Sequence, residues 1–284
     1  MANAQNVGGH VSGLGKTNRV DNWWLAPLLV VAGLGGWGLY YMWAAWQAEY
    51  YAVGPYISPF YAPLLYADGA AEGGAAVQHA FFGSWPEWWP EFIPKSPAFF
   101  IFVFPATFRA SCYYYRKAYY RAFFGMPPGC AVGPVPHNYK GETSLLVLQN
   151  LHRYTLYFAI LLLPFLFYEG VMSFFHDGKI GIGIGSVLIL LNAVFLSCYT
   201  FGCHAWRHLI GGRLNCFSCD GLSEAQHGAW SFSSWFNSRH MKFAWISLGW
   251  ILLADVYIRL VSMGIIPDVN TWYGITWASQ FGVH

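Results

Sequence analysis

Long apolar stretches separated by shorter polar ones set the pattern of this chain. A helix needs roughly 20 apolar residues to cross the hydrocarbon of a bilayer. Five stretches predict such helices, at about 23–46, 97–112, 145–172, 182–208 and 243–263. The second is short, but helical signal continues into the Tyr-rich residues after it. Trp23, Trp24, Trp43 and Trp46 stand at the ends of the first stretch, where an aromatic belt belongs. Residues 1–22 are polar and Gly-rich, and the apolar run after them is too long for the core of a cleavable signal peptide. No repeat and no soluble domain is visible. The expected fold is an all-α membrane protein, a single integral domain over 1–284, with an outer Pro/Trp-rich loop at about 47–96.

Composition agrees. Only 10% of residues are charged, against roughly 25% in ordinary soluble domains, while 56% are hydrophobic and 20% aromatic. The net charge of +2 matters less than its placement. Alternating the five helices sorts the connections into two sets. Of the 15 Lys and Arg, only Lys95, Lys179 and Arg259 fall on one side, leaving 12 in the N-terminus and in the segments near 109–153 and 207–242. The positive-inside rule then puts the N-terminus in the cytoplasm and the C-terminus outside. Trp85-Pro86-Glu87-Trp88-Trp89-Pro90, in the outer loop, reads as interfacial.

On this topology the reactive side chains gather at the cytoplasmic face. Cys112 ends the second helix, Cys130 lies in the next loop, and His152 is about two turns into the third helix. Cys203, His204 and His208 end the fourth, Cys216 and Cys219 form a CxxC, and His240 opens the fifth. His79, His176 and His284 lie on the other side. Each has a plain reading: Cys198 as an apolar packer, His240 as an interfacial or quinone-pocket residue, and the CxxC as a weak zinc signal with His227. A secreted disulfide framework is not expected from six cysteines beside apolar segments. Together the residues predict a redox centre. A haem b would need His152 with His204 or His208. A Rieske-type [2Fe–2S] cluster needs two thiolates and two imidazoles. Cys112 and Cys130 could supply the first pair, and His152 with His204 or His208 the second. Asp255 and Arg259, i,i+4 in the last helix, either neutralise one another or serve a proton path or second quinone site.

Five ordered motifs carry a resemblance. They are Tyr56-Ile57-Ser58-Pro59-Phe60-Tyr61, then Cys112 through Arg121 (CYYYRKAYYR), then Leu148-Gln149-Asn150-Leu151-His152-Arg153-Tyr154. Cys203-His204-Ala205-Trp206-Arg207-His208 and His240-Met241-Lys242-Phe243-Ala244-Trp245 follow. Over about 50–250 the chain resembles the membrane-anchor, cytochrome b-like subunit of mycobacterial-type succinate dehydrogenase. The resemblance implies a multi-pass subunit of the bacterial cytoplasmic (inner) membrane, active in the tricarboxylic acid cycle and respiratory chain as part of a succinate:menaquinone oxidoreductase. It implies docking to a flavoprotein subunit and an iron–sulfur subunit, contact with membrane lipids and quinone, and no nucleic-acid partner. It further implies a membrane-embedded Rieske-type [2Fe–2S] cluster, for which Cys112, Cys130, His152, Cys203, His204 and His208 compete for four places. Tyr113, Tyr114, Arg116, Lys117, Trp206, Arg207 and His240 are the quinone candidates. Where some members carry cysteines after the first motif, this chain has Leu64, Leu65 and Tyr66. The rival expectations are a haem b anchor of another quinone-linked complex and a cofactor-free structural anchor.

Overall fold

The structure, a computed structural model, describes residues 13–67, 80–135 and 143–281. His79, Lys140 and His284 lie outside the described residues. Eight helices appear in order: α1 (Leu25–Gln47), α2 (Ala98–Ser111), α3 (Tyr113–Phe123), α4 (Thr143–Met172), α5 (Ile184–Phe201), α6 (His204–Gly211), α7 (Gly221–Asn237) and α8 (His240–Ser262). Three two-stranded antiparallel hairpins accompany them among the described residues: β1 (Ala52–Val53) with β2 (Tyr56–Ile57), β3 (Phe175–His176) with β4 (Lys179–Ile180), and β5 (Asp268–Asn270) with β6 (Gly274–Thr276). Among the described residues four spans are long and apolar enough to cross a membrane: Leu25–Gln47, Asn150–Met172, Ile184–Phe201 and His240–Ser262. With the shorter apolar α2 they give the all-α membrane protein of about five helices. Pro105 and Pro164 sit inside α2 and α4, which membrane helices tolerate when neighbouring groups satisfy the freed carbonyls.

Two expectations are corrected. The fourth apolar stretch is not one helix to residue 208. It stops at Phe201, because Cys203 is extended and starts α6, its Sγ accepting the backbone N–H of Trp206 at 3.2 Å. Gly202 fits this corner because a Cβ there would press on the Cys198 carbonyl and on Phe236. The inner connection 207–242 is not a plain loop either. It contains α7, capped by Asp220, whose carboxylate accepts the Ser223 N–H at 2.8 Å. That hydrogen bond holds the Asp220 carboxyl below its ordinary pKa.

The described residues form two compact units. The first holds those up to Tyr40 and those from Ala110 to Leu151; the second holds Tyr41–Arg109 and the residues from His152 onward. In the first, the N-terminal segment pairs with the loop after α3. The Gly15 N–H donates to the Gly133 carbonyl at 3.0 Å, the Gly133 N–H donates to the Lys16 carbonyl at 2.7 Å, and Thr17 donates to the Ala131 carbonyl at 2.7 Å. Arg19 binds Asp21 and the Cys130 carbonyl.

In the second unit α5 packs along α8, and the Tyr56–Tyr61 motif is latched onto it. Tyr56 and Tyr61 are fully buried. The Tyr56 hydroxyl donates to Asp268 at 2.8 Å, and Tyr257 and the Asn270 amide donate to the same carboxylate at 2.6 and 2.9 Å. Ser58 donates to Asp255. Arg259 is 3.5 Å from Asp255, donates to Gln47 (2.6 Å), the Glu49 carbonyl (2.9 Å) and the Tyr61 hydroxyl (3.3 Å), and lies over the Trp43 ring. Asp255 and Arg259 therefore neutralise one another, as one of the two expectations held, and they also tie the end of α1 and its following segment to α8. In the Trp85–Pro90 stretch, Trp85 and Trp89 pack with Phe100 while Trp88 stands exposed.

Tyr56 and Trp272 can approach the start of α5 only because Gly181, Gly183 and Gly185 present no side chain; a Cβ on any of them would overlap one of those rings. Overpacking of this kind costs about 1–3 kcal/mol. Gly183→Ala should therefore lower the denaturation midpoint of the purified protein in detergent, whereas Gly249→Ala, where a Cβ meets open space, should not.

Candidate redox site of the membrane helices

Within the second unit the two half-buried histidines of the membrane helices share one aromatic stack. His152, at the start of the α4 span, lies parallel to the Phe108 ring with centroids 4.6 Å apart and planes 9° apart. Phe108 meets Tyr199 edge-on at 5.4 Å. Tyr199 lies parallel to His240, 4.7 Å away. The Arg109 guanidinium covers the Tyr199 face at 4.8 Å and is tied to α8 by the Ser247 hydroxyl and the Ala244 carbonyl. α2, α4, α5 and α8 thus each contribute a ring or a cation to one end of the bundle. Phe108 and Tyr199 are fully buried.

The chemistry of His152 follows from one bond. Its Nδ1 is 3.1 Å from the Phe108 carbonyl. A carbonyl can only accept, so the proton sits on Nδ1 and the lone pair on Nε2. This is the tautomer and anchoring that imidazole ligands of metals show, and it equally suits an acceptor of a quinol proton.

The other sequence candidates separate by burial. Cys112 and Cys203 are buried and Cys130 is exposed. His204 and His208 share a face of α6, their rings 6.3 Å apart, and both are exposed. Trp206 packs on Phe201, and Arg207 donates to Asn237 at 2.9 Å and lies over Trp230. In the first unit Tyr113 and Lys117 are exposed and Tyr114 is half-buried. Arg116, also a quinone candidate, is buried with its guanidinium over the Tyr113 and Tyr120 rings. Cys216 and Cys219, left out of the cluster on sequence grounds, form a disulfide with each other. The pair read as a weak zinc signal is thus a local link and not a framework.

For a cluster, the donors fit singly: two buried thiols, and a histidine held in the ligating tautomer. Among the described residues, however, no three His, Cys, Asp or Glu side chains gather as ligands of a metal ion. Phe108, Arg109 and Tyr199 were not singled out by their sequence. The signal that could have found them was depth: Phe108 and Arg109 lie in the last turn of α2 and Tyr199 in the last turn of α5, at the level where the spans of His152 and His240 begin.

Half-buried ionisable groups and buried aromatic rings at one end of apolar helices define a multi-pass membrane protein. The chain belongs to the actinobacterial succinate dehydrogenase subunit SdhC family, whose model matches residues 25–264. It is similar to a chain of the Mycobacterium smegmatis Sdh1 complex in the apo form, with 38% identity and a TM-score of 0.79, covering 91% of this chain and 94% of that one. No curated protein sequence matches. The chain is thus the membrane anchor of a succinate dehydrogenase complex, and works as one subunit of that enzyme.

Proposed function

We propose that this anchor passes electrons from the iron–sulfur subunit of its complex to menaquinone, at the membrane end where His152 and His240 lie. The observation that carries the reading is the His152–Phe108–Tyr199–His240 stack with Arg109 over it. A structural anchor needs only apolar contacts at this depth. Two imidazoles and a guanidinium are costly to keep there, and they are the groups that handle protons and quinone oxygens. Arg109, fixed by Ser247, is placed to stabilise negative charge on a quinone oxygen. His240 is the imidazole that exchanges protons with it, and His152 Nε2 is kept for ligation, its other nitrogen being held by the Phe108 carbonyl.

The redox centre proposed to feed this site is the Rieske-type [2Fe–2S] cluster. Burial ranks Cys112, Cys203 and His152 first among its candidate ligands and Cys130, His204 and His208 after them. When bound, such a cluster supplies a one-electron carrier whose potential histidine ligation raises. The flavoprotein and iron–sulfur subunits dock at the basic face, which the charge distribution puts in the cytoplasm of a bacterial cell.

The purified complex should reduce a short-chain menaquinone analogue with succinate. If succinate reduces only an artificial acceptor, however the complex is prepared, the anchor has no quinone chemistry. Orientation is tested separately. A phosphatase fused after His284 should be active outside the cytoplasmic membrane, and one inserted near Lys140 silent. The reverse pattern would move the redox end to the outer face.

A further inference from the structure

Helix α7 is amphipathic with its faces exchanged. The side turned toward the protein carries Ser223, Gln226, His227, Trp230, Ser233 and Asn237, at helical spacing. It is held by polar bonds: Ser233 donates to the Phe201 carbonyl at 2.6 Å, and Asn237 donates to the Gly202 carbonyl at 2.8 Å while accepting from Arg207. The side turned away carries Leu222, Ala225, Ala229, Phe232 and Trp235, which recur at i, i+3, i+7, i+10 and i+13. Leu222 and Phe232 are each 70% exposed and Trp235 51%. The only charged residue of the helix is Glu224, in its first turn. A helix facing water would present the opposite pattern.

We propose that α7 lies in the plane of the membrane surface, with this stripe sunk into the boundary between headgroups and acyl chains. The occupant is the bilayer for three reasons. The polar side of α7 is bonded to Phe201, the last residue of the α5 span. The α8 span begins at His240, three residues after α7 ends at Asn237. Both fix α7 at the level where spans leave the hydrocarbon. Finally, Arg239 stacks 4.0 Å above the Trp235 ring and donates to the Trp235 carbonyl at 3.0 Å. A Trp with an adjacent cation at the end of an apolar stripe is the composition of an interfacial anchor, its charge directed to lipid phosphate. With 17 residues, α7 would lie along about 25 Å of surface. The proposal does not depend on the quinone reading.

The test uses the whole complex in native membranes with the photoreactive substitution Phe232→benzoylphenylalanine. Leu253→benzoylphenylalanine, at a 48%-exposed site within the α8 span, is the positive control. On illumination Phe232 should give a phospholipid adduct, read by mass spectrometry of the α7 peptide, at a yield comparable with the control. A cross-link to another subunit or to a second copy of this chain would overturn the proposal. So would the absence of any adduct where Leu253 gives one. If that variant fails to accumulate, Leu222→benzoylphenylalanine on the same stripe is read by the same criteria.

Discussion

Replacing His152 with alanine is expected to abolish succinate-driven quinone reduction while leaving succinate oxidation by an artificial acceptor at the soluble subunits intact. The reasoning begins with the Nδ1 bond to the Phe108 carbonyl, which commits Nε2 to an acceptor or ligand role. Removing the ring also takes one face of the Phe108 stack, so the measurement must separate folding from chemistry. His152→Phe keeps an aromatic ring and restores packing without a nitrogen. It should assemble normally and remain inactive toward quinone. Cys112→Ser and Cys203→Ser should behave like His152→Ala and should remove iron and sulfide in excess of that in the iron–sulfur subunit. Cys216→Ser should change neither, since its sulfur is already bonded to Cys219. The reduced complex should lack the sharp visible bands of a b-type haem. Stoichiometric haem b, lost with His152 and untouched by Cys112→Ser, would establish the haem reading instead.

The second large effect is structural. Asp255→Ala should strip Arg259 of its counter-ion at a site where Asp255 is fully buried and Arg259 is 4% exposed. Breaking a buried ion pair from one side typically costs about 3–5 kcal/mol. In the detergent-solubilised complex that corresponds to a fall in the unfolding temperature on the order of 10 °C. The double variant Asp255→Leu, Arg259→Met should recover part of the loss, because no lone charge is left. Full recovery is not expected, since the Glu49 carbonyl and Gln47 would still lose their donor. A double variant worse than either single change would show that the pair is not the source of the stabilisation.

How much of this was legible in the sequence depends on what each stretch must satisfy. The membrane spans were legible because the bilayer imposes a length and an apolarity that few other structures meet. The i,i+4 pair of Asp255 and Arg259 was visible, but its partners Gln47, Ser58 and Tyr61 were not, because they lie about two hundred positions away. The break at Gly202–Cys203 was hidden because both residues are apolar enough to continue the run; only Cys203 acting as a cap reveals it. α7 was hidden for a different reason. With its polar residues inward and its apolar residues outward, its pattern suits neither a span nor a helix of a soluble protein. At the candidate site, His152 and His240 were found by residue type and depth. Arg109 was seen only as one of many basic residues, and Phe108 and Tyr199 are two among 23 Phe and 19 Tyr.

The latch around Arg259 also bears on how the chain is made. Gln47, Glu49 and Tyr61, which accept from Arg259, and Ser58, which donates to Asp255, leave the ribosome long before α8, so that span meets partners already synthesised and carries its charges into prepared company. Until then those groups lack the charged partners that α8 brings. A nascent chain that stalls short of α8 therefore leaves the segment after α1 unsecured.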